Sequence, residues 1–186
     1  MILYDHPASA NCLKARILLR QLGIPFETVL VDLLTGETRR PEHLARNPDG
    51  RVPVLETVDG DLIPESGAIL LHLAEGTRFV PGDRLARARV YQWLFFEQNQ
   101  LEPGLAVARF MKRMGLADHG PEVYKNRFNQ GRRSLDALAA GLADGRPFLA
   151  GDTYSVADIQ VYGHDEHDTH RPADSVSTRR IGVRSR

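Results

Sequence analysis

The chain changes character once, and the change falls at a Gly- and Pro-rich stretch, "GTRFVPGD", residues 76–83. Before it, short strand patterns alternate with helical ones. After it, strand signals vanish and long helical patterns take over. Glycine and proline are the strongest local punctuators of structure, so this stretch reads as a linker. Strands interleaved with helices close into a mixed sheet layered with helices, whereas uninterrupted helical patterns pack on one another. The expected architecture is an α/β domain over residues 1–75, the linker 76–83, and an all-α domain from residue 84.

The α/β part reads in detail. "MILY" is strand-like and ends at the breaker "DHPAS". From Ala10 the spacing turns helical, with Leu13 and Ile17, and Leu18 and Leu22, four residues apart, and Gly23 supplies the stop. "PFETVLVDL" gives a second strand, followed by the loop "LTGETRRPE". A strand, helix, strand succession closes as a parallel pair with a right-handed crossover. "VPVLE" is a third strand, and its proline, Pro53, belongs at the start because it has no N–H to give to a ladder. An Asp59-Gly60 turn returns the chain as a short antiparallel strand. A helix then runs from Ser66 to about Glu75.

In the second part, "RLARARVYQWLFFEQNQ" predicts one helix, kinked or interrupted near Pro103. Trp93, Phe95 and Phe96 on it are candidates for core or subunit contact. "EVYKNRFNQGRRSLDALAAGLADG" predicts another helix, with Leu135, Leu138 and Leu142 on one face. Ser155 and Asp158 form a capping box before a short apolar helix. The remaining segment, "HDEHDTHRPADSVSTRRIGVRSR", has few large apolar residues and no period, so residues 163–186 are expected to be disordered. His164, His167 and His170 recur there among acidic residues, but a histidine-rich solvated tail explains them without a metal, and none is expected.

Composition excludes several function classes. Lys and Arg number 24, as do Asp and Glu, so the formal net charge is zero. That leaves no electrostatic ground for binding nucleic acid or an anionic membrane. No apolar run reaches the roughly eighteen residues a membrane span needs. The single cysteine, Cys12, rules out an internal disulfide. "MILYDHP" lacks the basic-then-apolar layout of a secretory signal, and a cytoplasmic location is expected.

Four stretches together, "PASANCLKAR", "NPDGRVPVLE", "PESGAILLHLAE" and "PFLAGDTYSVADIQVY", resemble the cytosolic glutathione S-transferase family, over roughly residues 1–162 and nearest its bacterial, serine-type members. The resemblance implies a thioredoxin-like first domain, glutathione as co-substrate, a small electrophile as second substrate, and a homodimer. It implies that Val52 offers its backbone to the cysteinyl part of glutathione, turned outward by a cis bond to Pro53. Glu65 and Ser66 match the pair holding the γ-glutamyl end, and Arg51 matches a basic position reaching the glycyl carboxylate. Where some relatives carry a histidine, this chain has Thr38 followed by Arg39 and Arg40, and Arg39 is included among the glutathione-binding residues. The physics agrees for Glu65 and Ser66: a helix N-terminus presents unpaired N–H groups to a carboxylate, and an acidic side chain accepts from an ammonium. Ser66 alone reads better as a plain helix cap.

Ser9 is the candidate catalytic group, with Asn11 beside it. A hydroxyl that donates to sulfur favours thiolate over thiol. The residues alone leave Ser9 open between that role and a helix cap. Cys12 competes as a nucleophile, since a helix start lowers a thiol pKa; its place inside the helix favours a buried structural thiol. Tyr4 is assigned to the core. The expected function is activation of the glutathione thiol for attack on an electrophile. The alternatives are a glutathione-dependent disulfide or peroxide reductase, or an inactive binding module. The family resemblance also implies further apolar helices after Tyr162, which the following segment does not supply, so the helical domain is expected to be incomplete.

Overall fold

The first apolar run forms strand β1, Ile2–Asp5, and its residues Leu3 to Asp5 are buried in a computed structural model that describes residues 1–162. Helix α1, Ala10–Gln21, follows, then β2, Glu27–Leu30. A single 3₁₀ turn, Glu37–Arg39, and the short helix α2, Pro41–Leu44, lead to β3, Val54–Glu56, and β4, Leu62–Pro64. Helix α3, Ser66–Ala74, completes the set. The sheet order is β2-β1-β3-β4, with β1 and β2 parallel and the other two pairings antiparallel. This is the thioredoxin-like arrangement. The chain divides into two units after Val80.

Helices α1 and α3 pack against each other. The buried stripe of α1 is Cys12, Ala15, Leu18 and Leu19, while Leu13, Ile17 and Leu22 are only half-buried. A leucine count therefore misplaces the inner face, because small residues let the helix lie close. Leu3 and Leu55 from the sheet, with Ile69 and Leu70 from α3, are fully enclosed. The hairpin between β3 and β4 turns at Gly60, whose φ of 87° suits glycine. Thr57 Oγ1 accepts from the amides of Asp59 and Asp61 within it.

The second unit begins at helix α4, Arg84–Phe96, capped by Asp83, which accepts from the amides of Leu85 and Ala86. The predicted interruption near Pro103 takes an unexpected form. The chain stays helical but widens into π-helical register over Glu97–Ala106, then resumes as α5, Val107–Arg113. Proline offers no N–H to an α-helical ladder and crowds the preceding turn, and the wider register accommodates both. Glu97, fully buried in this stretch, accepts from Gln160 Nε2.

Helix α6, Pro121–Gly141, crosses the π-helical stretch at two glycines. A Cβ placed on Gly104 would lie 2.4 Å from the backbone nitrogen of Gly131. The Ser134 hydroxyl lies 3.0 Å from the Gln100 carbonyl and 2.9 Å from that of Gln130. The inner face of α6 is thus Gly131, Ser134 and Leu138; of the leucine stripe predicted from sequence only Leu138 is on it, while Leu135 is exposed and Leu142 half-buried. Phe95 on α4 is also exposed, whereas Trp93 is buried with its indole against Gly141.

The capping box before the last described helix, α7, Val156–Tyr162, is present. Asp158 accepts from the Ser155 amide at 2.8 Å, the Ser155 hydroxyl at 3.1 Å and the Leu149 amide at 2.9 Å. Burial pushes the pKa of its carboxyl up, and the three donors oppose that rise. No helix among the described residues is long and apolar enough to cross a membrane. The expected disorder of residues 163–186, and the histidines His164, His167 and His170, lie outside the described residues.

Candidate functional site

Strand register brings three loops to one end of the sheet. Tyr4 stands opposite Val54 in the antiparallel pairing of β1 and β3, and Val54 stands opposite Pro64 in that of β3 and β4. The exit of β1, the entry of β3 and the exit of β4 therefore share an edge. The first loop leads to Ser9 and Asn11, the second carries Arg51, Val52 and Pro53, and the third carries Glu65 and Ser66.

Ser9 caps α1, and its Oγ accepts from the Cys12 amide at 3.3 Å. The cap role is thus real, yet it leaves the hydroxyl proton to spend elsewhere, since a serine has one donor and two acceptor positions. Ser9 is half-buried, so it is not sealed off from a ligand, and its side chain also lies close enough to Cys12 to oppose the rise of that thiol's pKa. Behind the loop, Arg16 Nη1 grips both Asp5 oxygens, at 2.5 and 2.7 Å, and Arg16 Nη2 donates to the Pro7 carbonyl at 3.2 Å. This largely buried ion pair fixes the entrance of α1. Neither residue stood out in the sequence, because nothing local marks an aspartate at a strand end as the partner of an arginine eleven residues on.

Cys12 is fully buried, and its thiol receives the His6 amide at 3.4 Å. Burial pushes the thiol up to about 12, with a smaller upward contribution from the Asp5 carboxylate, against the lowering effect of Ser9 and His6. Cys12 is a structural thiol. Tyr4 is core as well, with its hydroxyl donating to Glu56 at 2.8 Å and the Arg46 guanidinium 4.4 Å from its ring centre.

Asn11 Oδ1 accepts from Lys14 Nζ at 2.7 Å, and the Ser66 hydroxyl approaches the same oxygen at 3.5 Å. The starts of α1 and α3 therefore meet. Ser66 is the buried first residue of α3 and not its cap; that place belongs to Glu65. Glu65 has a φ of 72°, the one positive value at a non-glycine residue among those described, and its side chain is exposed. The turn swings the carboxylate outward and leaves the first amides of α3 without a side-chain cap.

The Val52-Pro53 bond is cis. The carbonyl just before it, on Arg51, is held from behind by His43 Nε2 at 3.0 Å and Asn47 Nδ2 at 3.1 Å, both residues being buried. Because a carbonyl only accepts, Nε2 of His43 carries the proton. Neither residue was singled out from the sequence, although Asn47 opens the stretch "NPDGRVPVLE". The Arg51 side chain is exposed and paired with Asp49 at 2.7 Å. Arg39 Nη1 donates to the Asp49 carbonyl at 3.1 Å, so Arg39 and Arg51 converge on Asp49. Gly50 lies beneath that guanidinium at φ 64°, where a Cβ would fall 2.8 Å from Arg39 Nη1. Among the described residues no group of three or more His, Cys, Asp or Glu could hold a metal ion.

A thioredoxin-like unit thus carries, at one end of its sheet, an outward-turned carboxylate at a helix start, a cis-proline strand entry and a helix-capping serine. The model of the glutathione S-transferase N-terminal domain matches residues 1–75. Glutathione S-transferase F10 of Arabidopsis thaliana is 39% identical over 82% of this chain and 74% of its own length. The crystal structure of a glutathione S-transferase from Pseudomonas fluorescens Pf-5 is 41% identical, with a TM-score of 0.85, covering 89% of this chain and 82% of that one. A second family member from the same organism, solved with two glutathione molecules bound, is 26% identical, with a TM-score of 0.78, over 89% and 75% of the two chains. The chain belongs to the glutathione S-transferase family of enzymes.

Proposed function

We propose that this chain is a glutathione transferase that binds glutathione at the shared sheet edge and uses the Ser9 hydroxyl to hold its sulfur as thiolate. The observation that carries this reading is the register Tyr4–Val54–Pro64, which gathers Ser9, Val52 and Glu65–Ser66 on one edge of a fold whose relatives are named for the reaction. Glu65 accepts from the γ-glutamyl ammonium, while Ser66 and the open amides of α3 receive its carboxylate. The Val52 backbone pairs with the cysteinyl residue beside cis Pro53. Arg39 and Arg51 attract the glycyl carboxylate. Ser9 donates to the sulfur, with Asn11 close by. Lowering a thiol pKa by about two units takes about 2.7 kcal/mol, within reach of one good hydrogen bond and a helix start. The α/β domain over residues 1–75 is assigned to glutathione and the helical part, 84–162, to a small electrophile. A cytoplasmic homodimer fits the family.

Reduction of disulfides through a mixed disulfide at Cys12 is disfavoured by the burial of that thiol. The test separates the readings. Ser9→Ala should raise the pKa of bound glutathione, followed by thiolate absorbance, and should lower turnover with a model electrophile more than it lowers binding. Cys12→Ser should stay near the parent rate. Loss of turnover in Cys12→Ser with Ser9→Ala unaffected would move the function to disulfide reduction. Binding of glutathione with no thiolate signal in the parent protein would make it an inactive binding module.

A further inference from the structure

We infer that Lys14 is a positioning residue for this site: its buried ammonium fixes the Asn11 side chain so that the amide N–H end, and not the carbonyl end, faces the sulfur of bound glutathione. The inference rests on the glutathione reading above. Lys14 has no exposed surface at all, an uncommon state for a lysine, which is costly to bury unless its charge is met. It lies one turn after Asn11 on α1 and places Nζ 2.7 Å from Asn11 Oδ1.

An asparagine side chain has two nearly isosteric ends, a carbonyl that accepts and an NH₂ that donates. Left to itself at a helix start, it can present either. An ammonium can only donate, so Lys14 admits the oxygen on its own side and repels the NH₂. The Ser66 hydroxyl, at 3.5 Å, adds a weaker pull on the same oxygen. The Nδ2 end is thereby committed to the opposite side. Asn11 as a residue is only half-buried, so the side chain is not sealed off from a ligand. A charge-assisted bond to the carbonyl also polarises the amide and makes its N–H groups better donors. Both effects favour thiolate over thiol, and both vanish if the ammonium is removed while the shape is kept.

The experiment uses the full chain and four variants, Lys14→Met, Lys14→Arg, Asn11→Ala and the double variant Lys14→Met with Asn11→Ala. Methionine keeps the length and removes the donor. In Lys14→Met, the thiol of bound glutathione should titrate about one pH unit higher, and kcat should fall about tenfold with KM for glutathione changed less than about threefold. Lys14→Arg, which retains a charged donor, should restore the titration at least in part. Adding Lys14→Met to Asn11→Ala should cost nothing further, because the lysine acts through the asparagine. An unchanged thiol titration in Lys14→Met overturns the inference, as does a full, additive loss in the double variant. Should Lys14→Met fail to fold by circular dichroism, Lys14→Leu, which likewise removes the donor, takes its place under the same two criteria. A parent protein that neither binds glutathione nor shows thiolate absorbance overturns the glutathione reading itself, an outcome visible before any variant is compared.

Discussion

The Ser66 hydroxyl stands 3.5 Å from Asn11 Oδ1, linking the first residue of α3 to the first turn of α1 across 55 positions of sequence. Hydroxyl hydrogen bonds are usually 2.5–3.0 Å long, so this contact is weak and the Ser66 proton is readily redirected to an arriving carboxylate. Ser66→Ala should therefore cost the fold under about 1 kcal/mol. A hydrogen bond to a charged ligand group is worth about 1.5–3 kcal/mol, so glutathione affinity should fall by about 10- to 100-fold. Titration calorimetry beside urea unfolding measures the two quantities. Equal affinity in the variant would remove Ser66 from the binding site.

Glu65 holds a backbone conformation that side chains avoid, at a cost of about 1–3 kcal/mol. Glu65→Gly should relieve this and make the protein about as stable as the parent or more so, despite glycine's greater freedom when unfolded. Glu65→Ala brings no relief. Both should bind glutathione poorly, since the ammonium loses its acceptor. A Glu65→Gly variant less stable than Glu65→Ala would show that the turn carries no strain.

Cys12 ties stability to alkaline pH. Its thiol moves from an ordinary value near 9 up to about 12 on folding, because burial penalises the thiolate. Between those values the unfolded chain has lost a proton that the folded chain keeps. Stability should be unaffected by this group below pH 9 and should fall by about 1.4 kcal/mol per pH unit from about 9 towards 12. Cys12→Ala should flatten that slope in urea melts taken across the range. In native conditions at pH 8 the thiol should resist alkylation, and urea should expose it.

Asp158 supports the start of α7 and the segment before it through three donors. Asp158→Ala leaves the amides of Leu149 and Ser155 buried without partners and should cost about 2–4 kcal/mol. Asn in its place should recover only part, because one of its two ends is a donor facing a donor. Urea unfolding of the three proteins orders them.

The α/β half was legible because its signals are local: alternating apolar runs, breakers at "DHPAS" and Asp59-Gly60, and Pro53 at a strand start. The candidate site was legible only where single residues mark it. Ser9, Glu65 and Ser66 sit at helix starts, which the residues mark, while the roles proposed for them come from the family resemblance. His43 and Asn47 act on the carbonyl of Arg51, and Arg16 acts on Asp5; these contacts depend on how loops fold back, which spacing does not encode. In the helical half the failure was of another kind. A leucine spacing points to Leu135, whereas Gly131 and Ser134 are inside because they are small, with Leu138 beside them. Pro103 was read as a break, since a wider helical register is rare enough that a proline rarely implies one.

The meeting of Gly104 and Gly131 also limits how this protein can change over generations. An ordinary core tolerates a larger residue when a neighbour shrinks to make way. Here the atoms in the way of a methyl on Gly104 are the nitrogen and Cα of Gly131 and the carbonyl carbon of Gln130, all backbone. No mutation trims a backbone, so no second substitution rescues the first. Descendants of this sequence are free to repaint Leu135 and the outer surface of α6, while the crossing point stays closed to drift unless the two helices move apart together.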